Sequence, residues 1–240
     1  MNTIKANLKK TKAIAHRGVS GLETENTIAA FVAAGNRSYY GIETDLHVTA
    51  DGKFVIHHDS SLERMTGVNK IIEEMTYDEI RSIPIKDVRD GENYRTDLRV
   101  PDLKEYIRVC KKYEKIAVLE LKTPIKPCYI REIIEEIRTE GYLEQVIFIS
   151  FFWENLIAVK EICPNQKAQF LTGECDDALI KKMAEHKIDL DIVYPSVTEA
   201  MVKKLKENHI QINVWTCDSK EEAERLASLG IDYLTTNIIE

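Results

Sequence analysis

The stretch VIFISFFWENLIAVKEICPNQKAQFL, residues 146–171, decides the fold. It opens on apolar residues that read as a strand over 146–151. The apolar run is far shorter than the roughly 20 residues of a membrane helix and has the length of a buried strand. A helical segment over 154–162 follows, and a second short apolar run occupies 168–171. Strand, helix, strand in quick succession is the unit of a parallel sheet, because parallel neighbours need a crossover between them.

Working outward, the unit repeats. Towards the C-terminus come a helix over 177–186, a strand over 191–194, a helix over 198–208, a strand over 211–216, a helix over 220–229 and a strand over 233–236. Towards the N-terminus come a helix over 129–140 with Gly141 placed to end it, a strand over 116–121 and a helix over 101–113. Earlier still lie a strand over 41–48, a helix over 26–36 whose Ile28, Phe31 and Val32 mark one face, and a short strand over 13–15. Asp51-Gly52 is a hairpin signal that joins 41–48 to an arm over 54–58.

Apart from that arm, eight strands alternate with helical segments, which predicts an α/β fold, the (β/α)8 TIM barrel. An open doubly wound sheet is the structural alternative, but no Gly-x-Gly-x-x-Gly or Walker loop accompanies it. Residues 59–100 are polar and irregular, with Gly67, Pro84 and Gly91 and only short helical stretches. The whole of 1–240 is expected to be one barrel domain. The chain runs only four residues past strand eight, so the N-terminal tail is expected to cover the place of a closing helix.

Lys and Arg number 33 against 40 Asp and Glu, a net charge of −7. That balance argues against a nucleic-acid partner and leaves room for a small anionic substrate in a local basic pocket. The first ten residues are polar and basic with no signal-peptide core, so a cytoplasmic protein without stable membrane association is expected. The five cysteines are widely spaced with no Cys-x-x-Cys, and read as small buried hydrophobes in a reducing compartment. Cys217, just past a strand end, is the one candidate for a reactive thiol.

Two strands break the barrel pattern. Side chains alternate along 41–48, so Glu43, Asp45 and His47 share one face and Ile42, Thr44 and Leu46 the other. A parallel barrel strand should be apolar on both faces. Carboxylates there must be protonated, at the rim, or matched by a cation. The next parallel strand repeats the violation with Val118, Glu120 and Lys122 on one face. Three converging carboxylates make a hard oxygen site suited to Mg²⁺, Ca²⁺ or Mn²⁺. The competing reading is surface alternation on an antiparallel sheet, with no metal.

His16 ends the first strand and His58 the hairpin arm, both at the C-terminal rim where barrel enzymes place their chemistry. Two histidines there can divide proton removal and delivery, or each can be a hydrogen-bonded structural residue. Arg17 and Lys122 flank the rim and suit an anionic oxygen such as phosphate, or else pair with the local carboxylates.

With these residues in place, the sequence resembles the glycerophosphodiester phosphodiesterase family over nearly its whole length. His16-Arg17-Gly18 followed by Glu25-Asn26-Thr27 matches the family's opening signature, with Thr24 in place of its proline. Glu43-x-Asp45, His58-Asp59, Pro101-Asp102-Leu103, Glu120-x-Lys122 and Trp215-Thr216 follow in the family's order. Thr236-Asn237 stands where the family has Thr-Asp, and Met65 where it commonly has threonine. The resemblance implies a small insertion in the barrel after strand two, at about residues 59–100, and one divalent cation, Mg²⁺ or Ca²⁺ with Mn²⁺ admissible, on Glu43, Asp45 and Glu120. It implies His16 and His58 as the acid–base pair, and Arg17, Lys122 and Trp215 as substrate-binding residues. The activity implied is hydrolysis of a glycerophosphodiester to glycerol 3-phosphate and an alcohol. Lysophospholipase D-type cleavage of a lipid is the alternative within enzymes, and would need an apolar rim, for which Phe148, Phe151, Phe152 and Trp153 are candidates. A catalytically dead barrel used for binding is the alternative outside enzymes.

Overall fold

The computed structural model describes residues 2–87 and 93–240. In chain order its strands are β1 (Lys12–Ala15), β2 (Gly41–Val48), β3 (Phe54–Ile56), β4 (Ile85–Asp87), β5 (Asn93–Arg95), β6 (Ile116–Leu121), β7 (Val146–Ser150), β8 (Lys167–Thr172), β9 (Asp189–Val193), β10 (Ile212–Trp215) and β11 (Tyr233–Thr236). The helices are α1 (Ile28–Gly35), α2 (Glu63–Thr66), α3 (Tyr77–Ser82), α4 (Leu103–Lys112), α5 (Pro127–Thr139), α6 (Trp153–Ile162), α7 (Asp177–His186), α8 (Glu199–Glu207) and α9 (Lys220–Leu229).

Eight strands run parallel in the order β1-β2-β6-β7-β8-β9-β10-β11, and β1 pairs with β11 to close the ring. The fold is therefore the (β/α)8 barrel, with extra elements between β2 and β6. The β2–β6 seam needs a residue without a side chain at its start: a Cβ on Gly41 would sit 2.9 Å from the Ile116 carbonyl oxygen.

The helices form where an apolar stripe and a cap coincide. In α4 the buried residues are Leu103, Tyr106, Ile107 and Cys110, and in α5 Ile130, Ile133, Ile134 and Ile137, the i, i+3, i+4, i+7 spacing of one face. Asp102 and Glu105 form a capping box for α4, and Thr76 and Glu79 one for α3. Each full burial of such an aliphatic side chain stabilises the fold by roughly 1.5–3 kcal/mol.

Several boundaries differ from the sequence reading, for local reasons. The first helix begins at Ile28 rather than 26, because Thr27 caps it and Asn26 has a left-handed φ of 51°. Residues 59–100 are more ordered than expected. Their described part has its own core of Leu62, Met65, Ile72, Met75, Ile80, Ile85, Leu98 and Val100, packed with Val55 of β3. It also contains the antiparallel pair β4–β5. Residues 88–92, and with them Gly91, lie outside the described residues. The cysteines also divide: all five are free, Cys110 and Cys217 are buried, Cys163 and Cys175 half-buried, and Cys128 exposed on α5.

The N-terminal tail lies along the far end of the chain. Ile4 N donates to Ile238 O at 3.0 Å, and Glu240 N donates to Ile4 O at 2.8 Å. Asn7 N donates to Glu224 of α9, and Leu8 packs against both of the larger apolar clusters. Among the described residues, no helix is long and apolar enough to cross a membrane.

Candidate active site

β2 is longer than the barrel needs. Its last residues pair with β3 as an antiparallel arm, Leu46 with Ile56, His47 with Val55 and Val48 with Phe54. The arm turns at Gly52, with a φ of 72°, and returns to the rim, where His57 N donates to Asp45 O at 2.9 Å. That return carries His58 to the same opening as His16, which follows β1. His47 faces the insertion instead, with Nδ1 2.7 Å from Glu73 Oε1.

Glu43 and Asp45 from β2 and Glu120 from β6 meet inside the rim. All are buried, at 6% exposure or less, and each offers a carboxylate oxygen within 4.8 Å of the others. The register explains the meeting, since Asp45 pairs directly with Glu120. Burial, then the charges of Asp45 and Glu120, pushes the Glu43 carboxyl well above its ordinary range. Burial and Asp45 push Glu120 up to about 8. Burial acts on Asp45 in the same direction, but Lys122 and Arg17 outweigh it and hold that carboxyl below its usual range. Lys122 Nζ lies 3.3 Å from Asp45 Oδ1 and 3.1 Å from Glu120 Oε1. Three buried oxygen donors this close repel one another, and the arrangement fits a divalent cation.

Residues outside the expected set hold these groups in place. Asn26 Nδ2 donates to Asp45 Oδ2 at 2.7 Å, and Thr44 Oγ1 donates to Asn26 Oδ1. Arg17 N donates to Glu43 Oε2 at 2.8 Å, and its Nη1 to Glu25 Oε1 at 2.8 Å. Glu25 also takes a two-pronged contact from Arg64, whose Nε donates to Asp59 Oδ2 at 2.6 Å. Burial would raise the Glu25 carboxyl, yet the two guanidiniums hold it at about 2.

The two histidines are backed differently. His58 Nδ1 lies 2.7 Å from Asp59 Oδ1, a carboxylate. His16 Nδ1 lies 2.8 Å from Asn237 Oδ1, a carboxamide. The orientation of that carboxamide is fixed by its neighbours, because Nδ2 donates to Asp218 Oδ2 and Ser20 Oγ donates to Oδ1. Asn237 Oδ1 can only accept, so His16 carries its hydrogen on Nδ1 and leaves Nε2 unprotonated. Burial, with help from Arg17, pushes His16 down to about 4. Burial also lowers His58, while Asp45 and Asp59 act to raise it. Asp59 and Asn237 each stand in a quoted motif, but the pairing of Asn237 with His16 is a tertiary contact that spacing does not reveal.

His16, Arg17, Glu43, His58, Glu120, Lys122 and Trp215 all line one cleft, and Asp45 sits against its Lys122. Of the four aromatic residues proposed for an apolar rim, only Phe151 lines the cleft, 46% exposed and edge-on to Trp215 at 5.7 Å. Phe148 faces the helices in the core, and Trp153 packs on Phe170 and His186. Cys217 is buried away from the opening, and burial pushes its thiol up to about 11, which opposes a nucleophilic role.

A parallel barrel with a buried oxygen triad, two cationic side chains and two imidazoles at its C-terminal rim is an arrangement suited to hydrolysis of a phosphate ester. The glycerophosphoryl diester phosphodiesterase family model matches residues 16–240, and the chain belongs to that family. It is similar to a glycerophosphodiester phosphodiesterase of Caldanaerobacter subterraneus subsp. tengcongensis, with 31% identity over 95% of this chain and 94% of the relative. A solved phosphodiesterase of Oleispira antarctica, in complex with sn-glycerol-3-phosphate, superposes with a TM-score of 0.83 at 24% identity, over 98% of this chain and 96% of the other. A glycerophosphodiester phosphodiesterase from Parabacteroides distasonis gives 0.79 at 26% identity, over 95% and 93%.

Proposed function

We propose that the chain hydrolyses small glycerophosphodiesters to glycerol 3-phosphate and an alcohol, using one divalent cation and two histidines with opposite proton roles. The observation that carries this reading is the buried triad facing two imidazoles, one backed by a carboxylate and one by a carboxamide. Glu43, Asp45 and Glu120 would hold the cation, Mg²⁺ or Ca²⁺, with Mn²⁺ as a third candidate. When bound, it supplies neutralisation of phosphate charge and a fixed point for substrate oxygens.

The chain's own residues do the rest. Arg17, steadied by Glu25, and Lys122 take the phosphate oxygens. His16 Nε2, neutral and unprotonated, is the base. His58, whose Nδ1 hydrogen rests on Asp59, is best able to carry a second proton on Nε2, and it is the acid. Among the described residues, the positions matched to the family offer no protein nucleophile, and the substrate's own 2-hydroxyl serves. His16 takes its proton as the oxygen attacks phosphorus, and His58 protonates the departing alcohol as that P–O bond breaks. The cyclic phosphate then opens by attack of water with the two roles reversed. Holding the hydroxyl next to phosphorus can supply an effective molarity on the order of 10⁵ M or more.

Two measurements test this. Chelation should abolish turnover, and added Mg²⁺ or Ca²⁺ should restore it; full activity in excess chelator would refute the metal role. A diester lacking the 2-hydroxyl should not turn over at saturation, and a similar kcat would point to direct attack by water. With Phe151 as the one aromatic of the four at the opening, a small diester fits the cleft better than a lipid.

A further inference from the structure

One wall of the barrel interior is polar. Gln169 of β8, Asp191 of β9, Asn213 of β10 and Thr235 of β11 are each at most 3% exposed. Asn213 organises them: its Nδ2 donates to Gln169 Oε1 and to Asp191 Oδ2, both at 3.1 Å, and its Oδ1 accepts from Thr235 Oγ1 at 3.1 Å. The second Asp191 oxygen, Oδ1, is buried with no hydrogen-bond partner. Two residues further along β10, Trp215 Nε1 is in the same state. Both residues line the cleft. Arg17 Nε and Glu120 Oε1 also lack hydrogen bonds, but they face ion-pair partners; Asp191 Oδ1 and Trp215 Nε1 do not.

β9 stands four strands from β2 in either direction round the ring. Asp191 is therefore across the barrel from Glu43 and Asp45. A buried polar group left unmatched costs on the order of 1–3 kcal/mol, which a ligand on that side would relieve.

We propose that Asp191 is a hydroxyl-binding residue of the substrate site, with its Oδ1 receiving a hydroxyl of the diester. The assignment rests on the hydrolytic reading above. A phosphate oxygen is a poor occupant, because the cations Arg17 and Lys122 stand by the triad and Asp191 offers a carboxyl. A hydroxyl both donates and accepts, so it can match the Asp191 carboxyl oxygen whichever way the proton lies. Leu171 and Ile149 supply the apolar surroundings that make such a match selective. Burial and the Glu120 charge raise the Asp191 carboxyl well above its ordinary range. A neutral carboxyl with Oδ2 accepting from Asn213 carries its proton on Oδ1, where it serves a hydroxyl equally well.

The hydroxyl belongs either to the glycerol unit or to the departing alcohol, and two substrates separate these. Glycerophosphocholine has no free hydroxyl on its departing side, and glycerophosphoinositol has several. With the metal-supplemented enzyme, Asp191→Leu should raise KM roughly 5- to 10-fold, the loss of about one hydrogen bond's worth of affinity. A rise with both diesters assigns the glycerol unit, and a rise with the inositol diester alone assigns the departing alcohol. Asp191→Asn, which can accept from Asn213 and donate from Nδ2 to a hydroxyl, should recover most of the loss. Calorimetric binding of glycerol 3-phosphate and inorganic phosphate gives a second readout, independent of turnover. Equal weakening of both ligands would show that Asp191 merely supports the wall, and unchanged KM for both diesters would equally overturn the proposal. Should the Leu variant not fold, Asp191→Ser gives the same comparison. A wild-type enzyme inactive on every diester with metal present would refute the hydrolytic reading itself, and the calorimetric pair would still decide whether Asp191 binds a hydroxyl of the glycerol unit.

Discussion

His16 and His58 differ in one atom type behind the ring, and that difference is open to measurement. Asp59→Asn removes the negative charge that helps His58 keep a proton while preserving an oxygen at the same place. His58 should then lose its proton at lower pH. In a kcat/KM profile the alkaline limb, where the acid becomes deprotonated, should move to lower pH, while the acid limb set by His16 stays in place. kcat should fall about tenfold or more, against roughly 10²–10⁴ for His58→Ala. A profile that does not move would separate Asp59 from the proton chemistry. At this scale much of the site is legible in the sequence. Glu43, Asp45 and Glu120 announce themselves as charges on strands that should be apolar. Asn237 does not, because its partner His16 lies 221 positions away and nothing local marks the contact. Asp191 is hidden for another reason: at the start of an expected strand, a carboxylate reads as solvated.

Among the elements, α5 shows how the barrel is held. Ile134 is fully buried on its inward face, in the cluster that also contains Val146 and Phe148 of β7. Ile134→Ala should destabilise the protein by about 2–5 kcal/mol through lost transfer energy and the cavity left behind. Denaturant unfolding should show this with kcat nearly unchanged, since α5 contributes no residue to the cleft. Its periodicity made α5 readable from sequence to within two residues at its start. The insertion was not readable in that way. β4 and β5 have three residues each and α2 has four, too few for a period to show, so a segment with its own apolar core looked irregular. Its Leu62, Met65 and Ile72 acquire meaning only once Val55 is known to face them.

For the molecule as a whole, Glu240 is a tie between distant segments. It accepts from Thr3 Oγ1 and from Ser38 N and Oγ, and pairs with Lys5 Nζ at 3.1 Å. Burial works against its charge, but these partners prevail and hold the carboxyl at about 2. A carboxyl lowered in the folded state stabilises above its ordinary value of 4.5, and the benefit disappears as pH falls from there towards about 2. Glu240→Gln should therefore lower Tm at pH 7, by an amount equivalent to about 1–2 kcal/mol after allowance for solvent on its open side. The gap between variant and wild type should close between pH 4.5 and 2. A gap that persists unchanged at the acid end would mean the tie is steric rather than ionic.

The overlong strand β2 has a consequence for how such an enzyme can change. Its first part carries two of the acidic residues, and its last part is a ladder on which β3 hangs, bringing His58 back to them. The spacing between imidazole and carboxylates is thus set by rungs of backbone, as on a ruler, and not by the path the chain takes afterwards. Between Arg64 and α4, changes of length that spare the core packed on Val55 leave that ruler in place. Variation in its length becomes a means of reshaping the mouth of the cleft while the chemistry beneath keeps its measure.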